Sequence, residues 1–550
     1  MKQLGGMDAS FLYMETPHTP MHVAGLSIVE LPPRFHGDFY EIYKAHIGSR
    51  LHLFPVLKKK IVQVPWDIDH PLWVDDDAMD LDYHVRHLGL PKPGTMQQLE
   101  ELVGRLHSNF LDRSRPLWEF YVIDGLADRK VAVYTKIHHA AVDGGAGMAL
   151  TNMMYDTTPE GRHVDPPPPA ADAGKEHAPD TLELLGTAYR HLVSQQVSAL
   201  QKIPDLLKAI ASVAMPVSNG VLRLPTRALQ NLVAPRTMLN ATVTSQRSFT
   251  ARSLPLGEAK AIAKQTDTKL NDVVMAVCAG ALRRYLIEKH GLPKEPLVAF
   301  VPVSLRQPGN TESNNQVSGM LCSLATDVKD PLERLKAIHA SSLEAKEISG
   351  KLKDATPRDF SMFGAPVVLQ NAIGLWDRSG LADRLPPPAN VVISNVPGPQ
   401  TPLYLAGARL LTLYPVSIPA HGMALNMTVQ SYCGALDFGL TACRKTVPEL
   451  RKLAGYLEES MEELHEAVYG ATPLEAQTFR PPRAAASRRR AKAPAARAAS
   501  KPARGASKPA TGAAKSAAAP ASKAARGAGS KRSRTRPASA PASKAAVSGA

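Results

Sequence analysis

Apolar residues recur at three- and four-residue spacing over 96–111 (MQQLEELVGRLHSNFL). Leu99, Leu102, Val103, Leu106 and Phe110 share one face, which predicts an amphipathic helix. The period then changes. Residues 117–123 (LWEFYVI) alternate as a half-buried strand does, and 131–137 (VAVYTKI) form a second apolar run. The short loop between them begins at Asp124-Gly125, so the pair reads as a hairpin. Its second strand runs directly into His138-His139. Helical spacing is also expected over 40–52 and 146–155, so the first 160 residues read as mixed α/β.

Residues 165–180 break the pattern. Four consecutive prolines, Pro166 to Pro169, fit neither a helix interior nor a central strand. From 181 to 215 a helical pattern returns through Leu182, Leu185, Tyr189, Leu192, Val193, Val197 and Leu200, punctuated by Pro204 and Pro216. Beyond it the α/β character repeats. Helices are expected over 256–266, 270–288, 330–348 and 447–468. Strands are expected over 297–303 and 391–395, with a hairpin of 425–429 and 436–440 around Cys433-Gly434. The expected organisation is a first domain (1–160), a Pro-rich and helical connector (161–245), a second domain (246–470) and a tail (471–550).

Composition changes this picture mainly at the tail. The 550 residues allow three or four domains at ~150 residues each. A net charge of +15 at first suggests a nucleic-acid binder. However, 18 of the 65 Lys and Arg lie in 480–550, which has no Asp or Glu. The remaining 47 basic residues face all 50 acidic ones, a net of −3. The body is near neutral. The tail holds Ala, Lys, Arg, Pro, Ser and Gly, with one branched aliphatic residue, Val547, so it has almost nothing to bury against the entropy of ordering and is expected to be disordered. The four cysteines (Cys278, Cys322, Cys433, Cys443) form no CxxC pair and no disulfide framework, which fits a reducing, cytoplasmic setting. Cys278, on an apolar helix, is expected to be inert. No signal peptide and no run of about 18 apolar residues is apparent.

The candidate chemistry lies at Lys136-Ile137-His138-His139-Ala140-Ala141-Val142-Asp143-Gly144-Gly145. A strand delivers two histidines into a turn, and the glycines permit a sharp reversal. Histidine accepts and returns a proton near neutral pH. Side chains of neighbouring strand residues point to opposite faces, so one histidine should face a cleft while the other packs. By residue type alone three readings stay open: a structural pair, a metal site and a general base. The metal reading lacks HExxH and a third ligand at diagnostic spacing, so no metal is expected.

The pattern His138-His139-x-x-x-Asp143-Gly144 resembles the HHxxxDG signature of CoA-dependent acyltransferases. That superfamily includes chloramphenicol acetyltransferase, the plant BAHD enzymes and peptide-synthetase condensation domains. Further segments narrow the resemblance to the bacterial wax ester synthase/diacylglycerol acyltransferases. They are Met7-Asp8-Ala9-Ser10-Phe11-Leu12 with Glu15, Pro17 and Pro20-Met21-His22; Pro116-Leu117-Trp118-Glu119; and Asn271-Asp272-Val273-Val274-Met275-Ala276, with Met where that family has Leu. Val301-Pro302-Val303-Ser304-Leu305-Arg306 and Ser394-Asn395-Val396-Pro397-Gly398-Pro399 also fit. The match runs from about residue 4 to 468 and leaves out the proline-rich linker and the tail.

The resemblance implies two chloramphenicol-acetyltransferase-like α/β domains with a cleft between them. It implies transfer of a long-chain acyl group from acyl-CoA, a co-substrate rather than a bound cofactor, to a fatty alcohol or a diacylglycerol. His139 would be the general base and His138 a supporting residue. Asp143 would hold the loop, with Arg306 as its candidate partner, and Gly144 would serve the turn. Asn271 either contacts substrate or caps its helix, and Trp118 either lines an acyl tunnel or packs in the core. His18 and His22 either border a substrate entrance or are ordinary surface histidines. Asn314 and Asn315 mark a loop. No G-x-S-x-G elbow is present, and no acyl-enzyme is needed. So apolar an acceptor implies contact with a membrane or lipid-inclusion surface, to which the basic tail could bind electrostatically; nucleic acid is the less favoured partner of the tail. Two alternatives remain at this point: a condensation or polyketide-associated acyltransferase using a carrier-bound thioester, and a non-catalytic inclusion or nucleic-acid-binding protein acting through the tail.

Overall fold

The computed structural model describes residues 2–142, 144–166, 234–304, 317–352 and 366–470. The helix expected over 181–215 and the tail lie outside the described residues. Among these residues no helix is long and apolar enough to cross a membrane.

The hairpin is present. Trp118–Asp124 and Lys130–His138 pair antiparallel, with Trp118 opposite Ile137. Almost every residue of both strands is buried, because the sheet is covered on both faces. They are the fourth and fifth strands of a six-stranded sheet ordered Tyr404–Leu405, Ala408–Val416, His22–Glu30, Lys130–His138, Trp118–Asp124 and Val85–Gly89. Only the last pair runs parallel. The second sheet is ordered Val317–Ser323, Val298–Ser304, Val391–Val396, Leu425–Tyr432, Ala435–Cys443 and Arg247–Pro255. In it Val391–Val396 runs parallel to both neighbours and the other pairs are antiparallel. A third, three-stranded sheet joins Lys2–Gln3, Leu72–Asp75 and Lys59–Val62.

The strands do not divide at residue 246 as the sequence does. Tyr404–Leu405 and Ala408–Val416 belong by sequence to the second half, yet they pair into the first sheet, Ala408–Val416 beside His22–Glu30. Alternation shows that a strand exists but not which edge it joins. The crossing strand is stitched to the second sheet by side chains: Asp437 accepts the Leu413 N–H (2.9 Å) and Thr441 Oγ1 accepts the Ser417 N–H (3.2 Å). Gly439 permits this approach, since a Cβ there would lie 1.7 Å from the Pro415 carbonyl oxygen.

The amphipathic helix Met96–His107 starts at a capping box. The Thr95 hydroxyl accepts the Gln98 N–H and the Gln98 side chain accepts the Thr95 N–H. Its buried Leu99 and Val103 join Leu26, Ile123 and Tyr134 of the first sheet and Phe249 and Ala251 of the second in one apolar cluster. The helix is therefore a wedge shared by both sheets. Leu270–Glu288 forms over the residues its pattern predicts, and with Leu450–Tyr469 it covers the second sheet's core.

Candidate active site

Strand Lys130–His138 ends in a tight turn. The Ala141 N–H donates to the His138 carbonyl (2.9 Å) and the Val142 N–H to that of His139 (3.4 Å). Gly144 opens the helix Gly144–Met154. Asp143 and Arg306 lie outside the described residues.

The two histidines have different environments. His138 is fully buried and His139 half-buried, as adjacent positions leaving a strand dictate. His138 Nδ1 accepts the Ala140 N–H (3.1 Å), so the proton of a neutral ring sits on Nε2, 3.5 Å from Glu15 Oε1. His139 is held through its backbone and its face. Its N–H donates to the Met21 carbonyl (2.9 Å), and its ring stacks on Phe11 with centroids 3.9 Å apart and planes within 12°.

Glu15 ties these pieces together. One carboxylate oxygen accepts the Met21 N–H (3.1 Å); the other accepts Nε and Nη2 of Arg113 (3.0 and 2.7 Å). Burial alone would raise its pKa. The His138 ring and the Arg113 guanidinium outweigh burial and hold it down to about 2. Met21 is thus gripped from both sides, its N–H by Glu15 and its carbonyl by His139.

Below this turn lies a layer of buried polar side chains. Lys136, fully buried, pairs with Glu119 at 2.8 Å and donates to the Asn109 carbonyl; burial lowers its pKa, opposed by Glu119. His22, opposite His138 in the strand register, is fully buried and donates through Nε2 to the His107 carbonyl (2.9 Å). His107 donates through Nε2 to the Ser417 carbonyl (2.9 Å), and its Nδ1 meets the Tyr134 hydroxyl (2.8 Å). Burial holds His22 well below the usual histidine range and His107 down to about 3, so both are neutral. His22 is therefore neither at an entrance nor on the surface.

His18 keeps 45% of its side chain exposed, with Nδ1 3.0 Å from Asp377 Oδ2. Asp377 also accepts His421 Nε2 (2.7 Å) and the Thr16 hydroxyl (2.6 Å). His18, Asp377 and His421 cluster closely enough to suggest a metal. The tautomer argues otherwise. His421 Nδ1 accepts the Val243 N–H (3.2 Å), which puts the ring proton on Nε2, where it donates to Asp377 instead of offering a lone pair.

The remaining candidates separate. Trp118 is a core residue: it is 1% exposed, its indole N–H donates to the Leu57 carbonyl (2.7 Å), and its ring stacks on His84. It offers no open surface to a substrate. Asn271 does not cap its helix. Asp272 does, accepting the Lys269 N–H (3.0 Å) while also bound to His339 (2.6 Å). Asn271 instead faces Asn395, whose amide donates to it at 3.5 Å. The NDVVMA and SNVPGP segments are thereby brought into contact. Residue-type reasoning had no role for Arg113 and none beyond a signature position for Glu15 and Phe11. The spacing of Phe11 and Glu15 within that N-terminal segment was the available signal.

The model of the wax ester synthase/diacylglycerol acyltransferase catalytic domain matches residues 4–274, and that of the WS/DGAT C-terminal domain matches 313–465. The chain belongs to the wax ester synthase/diacylglycerol acyltransferase family. It is 36% identical over 466 residues to the O-acyltransferase WSD of Acinetobacter baylyi, covering 84% of this chain and 96% of that one. It is 40% identical over 470 residues to a Mycobacterium tuberculosis protein named, by inference, diacylglycerol O-acyltransferase, covering 84% and 99%. The wax ester synthase/diacylglycerol acyltransferase of Marinobacter aquaeolei VT8 superimposes with a TM-score of 0.60 at 33% identity, covering 85% of this chain and 100% of that one. Like other members of the family, this chain is an O-acyltransferase, built on the two-sheet architecture its sequence implies. A carrier-thioester condensation enzyme and a non-catalytic protein are not favoured.

Proposed function

We propose that the enzyme moves a long-chain acyl group from acyl-CoA to the hydroxyl of a fatty alcohol or a diacylglycerol, with His139 as general base. The observation that carries this reading is the asymmetry of the pair: His138 is sealed, its Nδ1 bonded to the Ala140 N–H and its Nε2 3.5 Å from Glu15, while His139 is half-buried at the strand's end on a fixed backbone. His139 takes the acceptor's proton as its oxygen attacks the thioester carbonyl. The new C–O bond forms, the C–S bond breaks, and His139 returns the proton to the CoA sulfur. No acyl-enzyme intervenes. Asp143 and Gly144 keep the turn in shape, and the Asn271–Asn395 contact fixes the second half beside the substrate.

The apolar acceptor and product imply work at a lipid surface. The basic tail supplies attraction to anionic headgroups. Trp66 is 75% exposed, and Val368 and Leu375, seven residues apart on helix Pro366–Ser379, are 56% and 66% exposed. These side chains offer apolar contact with such a surface. Flotation with anionic vesicles should weaken when 480–550 are removed; equal binding by both forms overturns the tail's part.

The catalytic reading is tested by ester formation from palmitoyl-CoA with hexadecanol and dioleoylglycerol in parallel. Wild type should be active with at least one acceptor. His139→Ala should lose about a hundredfold or more. A folded His139→Ala enzyme with wild-type activity overturns the assignment.

A further inference from the structure

Away from the histidine turn, a cleft of about 410 Å³ opens between helix Met96–His107, strand Arg247–Pro255 and the start of helix Leu450–Tyr469. Four arginines line it: Arg105, Arg247, Arg444 and Arg451. Two of its three acids, Glu100 and Glu449, are already paired with cations, and Glu101 is exposed. Glu100 accepts the Thr250 hydroxyl and the Ala251 N–H (both 3.1 Å) and pairs with Arg451. Glu101 accepts the Gln97 amide (3.2 Å), and Glu449 pairs with Lys289. Arg105, Arg247 and Arg444 have no carboxylate partner among the described residues.

Arg247 is the telling member. It is 4% exposed, yet its guanidinium bonds only to the carbonyls of Thr244, Gln246 and His18, the last at 2.7 Å. Burial pulls its pKa down to about 10. A buried cation without a carboxylate partner is costly, and here it borders a cavity with two further guanidinium groups that lack one. Helix Met96–His107 brings Arg105 beside the strand because position 104 is glycine: a Cβ there would lie 2.9 Å from the Arg247 carbonyl oxygen. The N-terminus of Leu450–Tyr469 has no side-chain cap and adds partial positive charge. Arg247 also links the cleft to the active site, since His18 lies three residues before Met21, whose carbonyl holds His139.

We propose that this cleft binds the phosphate groups of the acyl donor, the 3′-phosphate and diphosphate of the CoA nucleotide. This rests on the acyl-CoA reading above. Phosphate recognition by fixed guanidinium groups fits planar, paired donors. A phospholipid headgroup offers the same chemistry, and the test separates the two.

The full chain is titrated with 3′,5′-ADP by calorimetry, for wild type and for Arg105→Gln and Arg444→Gln, both exposed positions whose loss leaves the core intact. Arg247 is left alone because its replacement could prevent folding. Wild type should bind, and each variant should bind about tenfold more weakly, as for one lost charge-assisted contact. KM for palmitoyl-CoA should rise by the same factor with kcat held. KM for palmitoyl-pantetheine, which lacks the nucleotide, should rise less than twofold. Variants that bind 3′,5′-ADP as wild type does overturn the proposal. So do variants that lose only flotation on phosphatidylglycerol vesicles, which would assign the cleft to a lipid headgroup. If wild type makes no ester from palmitoyl-CoA but 3′,5′-ADP binding still depends on both arginines, the acyl-CoA reading fails while the anion site stands.

Discussion

Two buried carboxylates, one in each half of the enzyme, sit at opposite ends of the carboxyl range. Glu15, under the histidine turn, is held down to about 2; Asp437, where the crossing strand meets the second sheet, is pushed up to about 7. Burial acts on both in the same direction. The difference lies in the neighbours. Glu15 has Arg113, His138 and a backbone N–H, whereas Asp437 has only the Ser253 hydroxyl and the Leu413 N–H. The pattern extends beyond this pair. All the buried histidines among the described residues (His22, His70, His84, His107 and His138) lie in the first half. The second half relies more on amides and hydroxyls, such as Asn240 and Asn390, which bond to each other and to backbone. The first half gathers its buried histidines and their ion partners beneath the reacting turn, whereas the second half buries charged side chains (Arg247, Asp272, Arg334, Asp377 and Asp437) but, among the described residues, no histidine.

The sharpest way to break this contrast is at Glu15. Glu15→Leu leaves the Met21 N–H and the buried His138 without their acceptor, while Arg113, 38% exposed, turns to water; the loss should cost about 1–3 kcal/mol. The expected result is a large fall in chemical-denaturation midpoint. Glu15→Gln keeps the shape and one acceptor. It should fold, and kcat should drop about tenfold because the carboxylate charge that Arg113 and His138 share is gone and one of its two acceptor oxygens becomes a donor, with KM little changed. Unchanged kcat in the Gln variant would make Glu15 a stability residue without a part in positioning His139.

Part of this was legible in the sequence. Leu270–Glu288 and the hairpin ending in His138-His139 follow from period alone, because each is long, apolar and local. The sealed and half-open histidines follow from strand alternation. Partners distant in sequence were not legible. Ala408–Val416 reads as an ordinary strand, and nothing in its residues says that it crosses to His22–Glu30. Arg113 meets Glu15 across 98 positions. The helix cap stayed open for a related reason: Asn271 and Asp272 are both good capping residues, and only the backbone shows that Lys269 is the cap position and Asp272 the side chain that serves it.

His107 gives the next effect, on the acid side. It is held neutral in the folded enzyme, down to about 3, against 6.5 unfolded. The unfolded chain therefore binds the extra proton, and stability is full above pH 6.5 and lost as pH falls toward 3. Between pH 7 and 5 this one residue should cost ~2 kcal/mol. His107→Gln keeps a donor for the Ser417 carbonyl and cannot titrate, so its melting temperature should fall less steeply over that interval. An equal slope in both proteins would remove His107 from the account.

Asp437 should produce the smallest effect, with the opposite sign. Its folded pKa, about 7, lies above the unfolded value of 3.8, so the folded enzyme holds the proton that the unfolded chain has released. Its contribution is full below pH 3.8 and is lost as pH rises through 7. Between pH 6 and 8 the loss should be ~1 kcal/mol. Glu15, already ionised in both states there, contributes no slope. Asp437→Asn should therefore flatten the decline in melting temperature from pH 6 to 8, whereas Glu15→Gln should leave that decline intact. If the two variants exchanged these behaviours, the charged neighbours of Glu15 and the neutral neighbours of Asp437 would have been assigned the wrong way round.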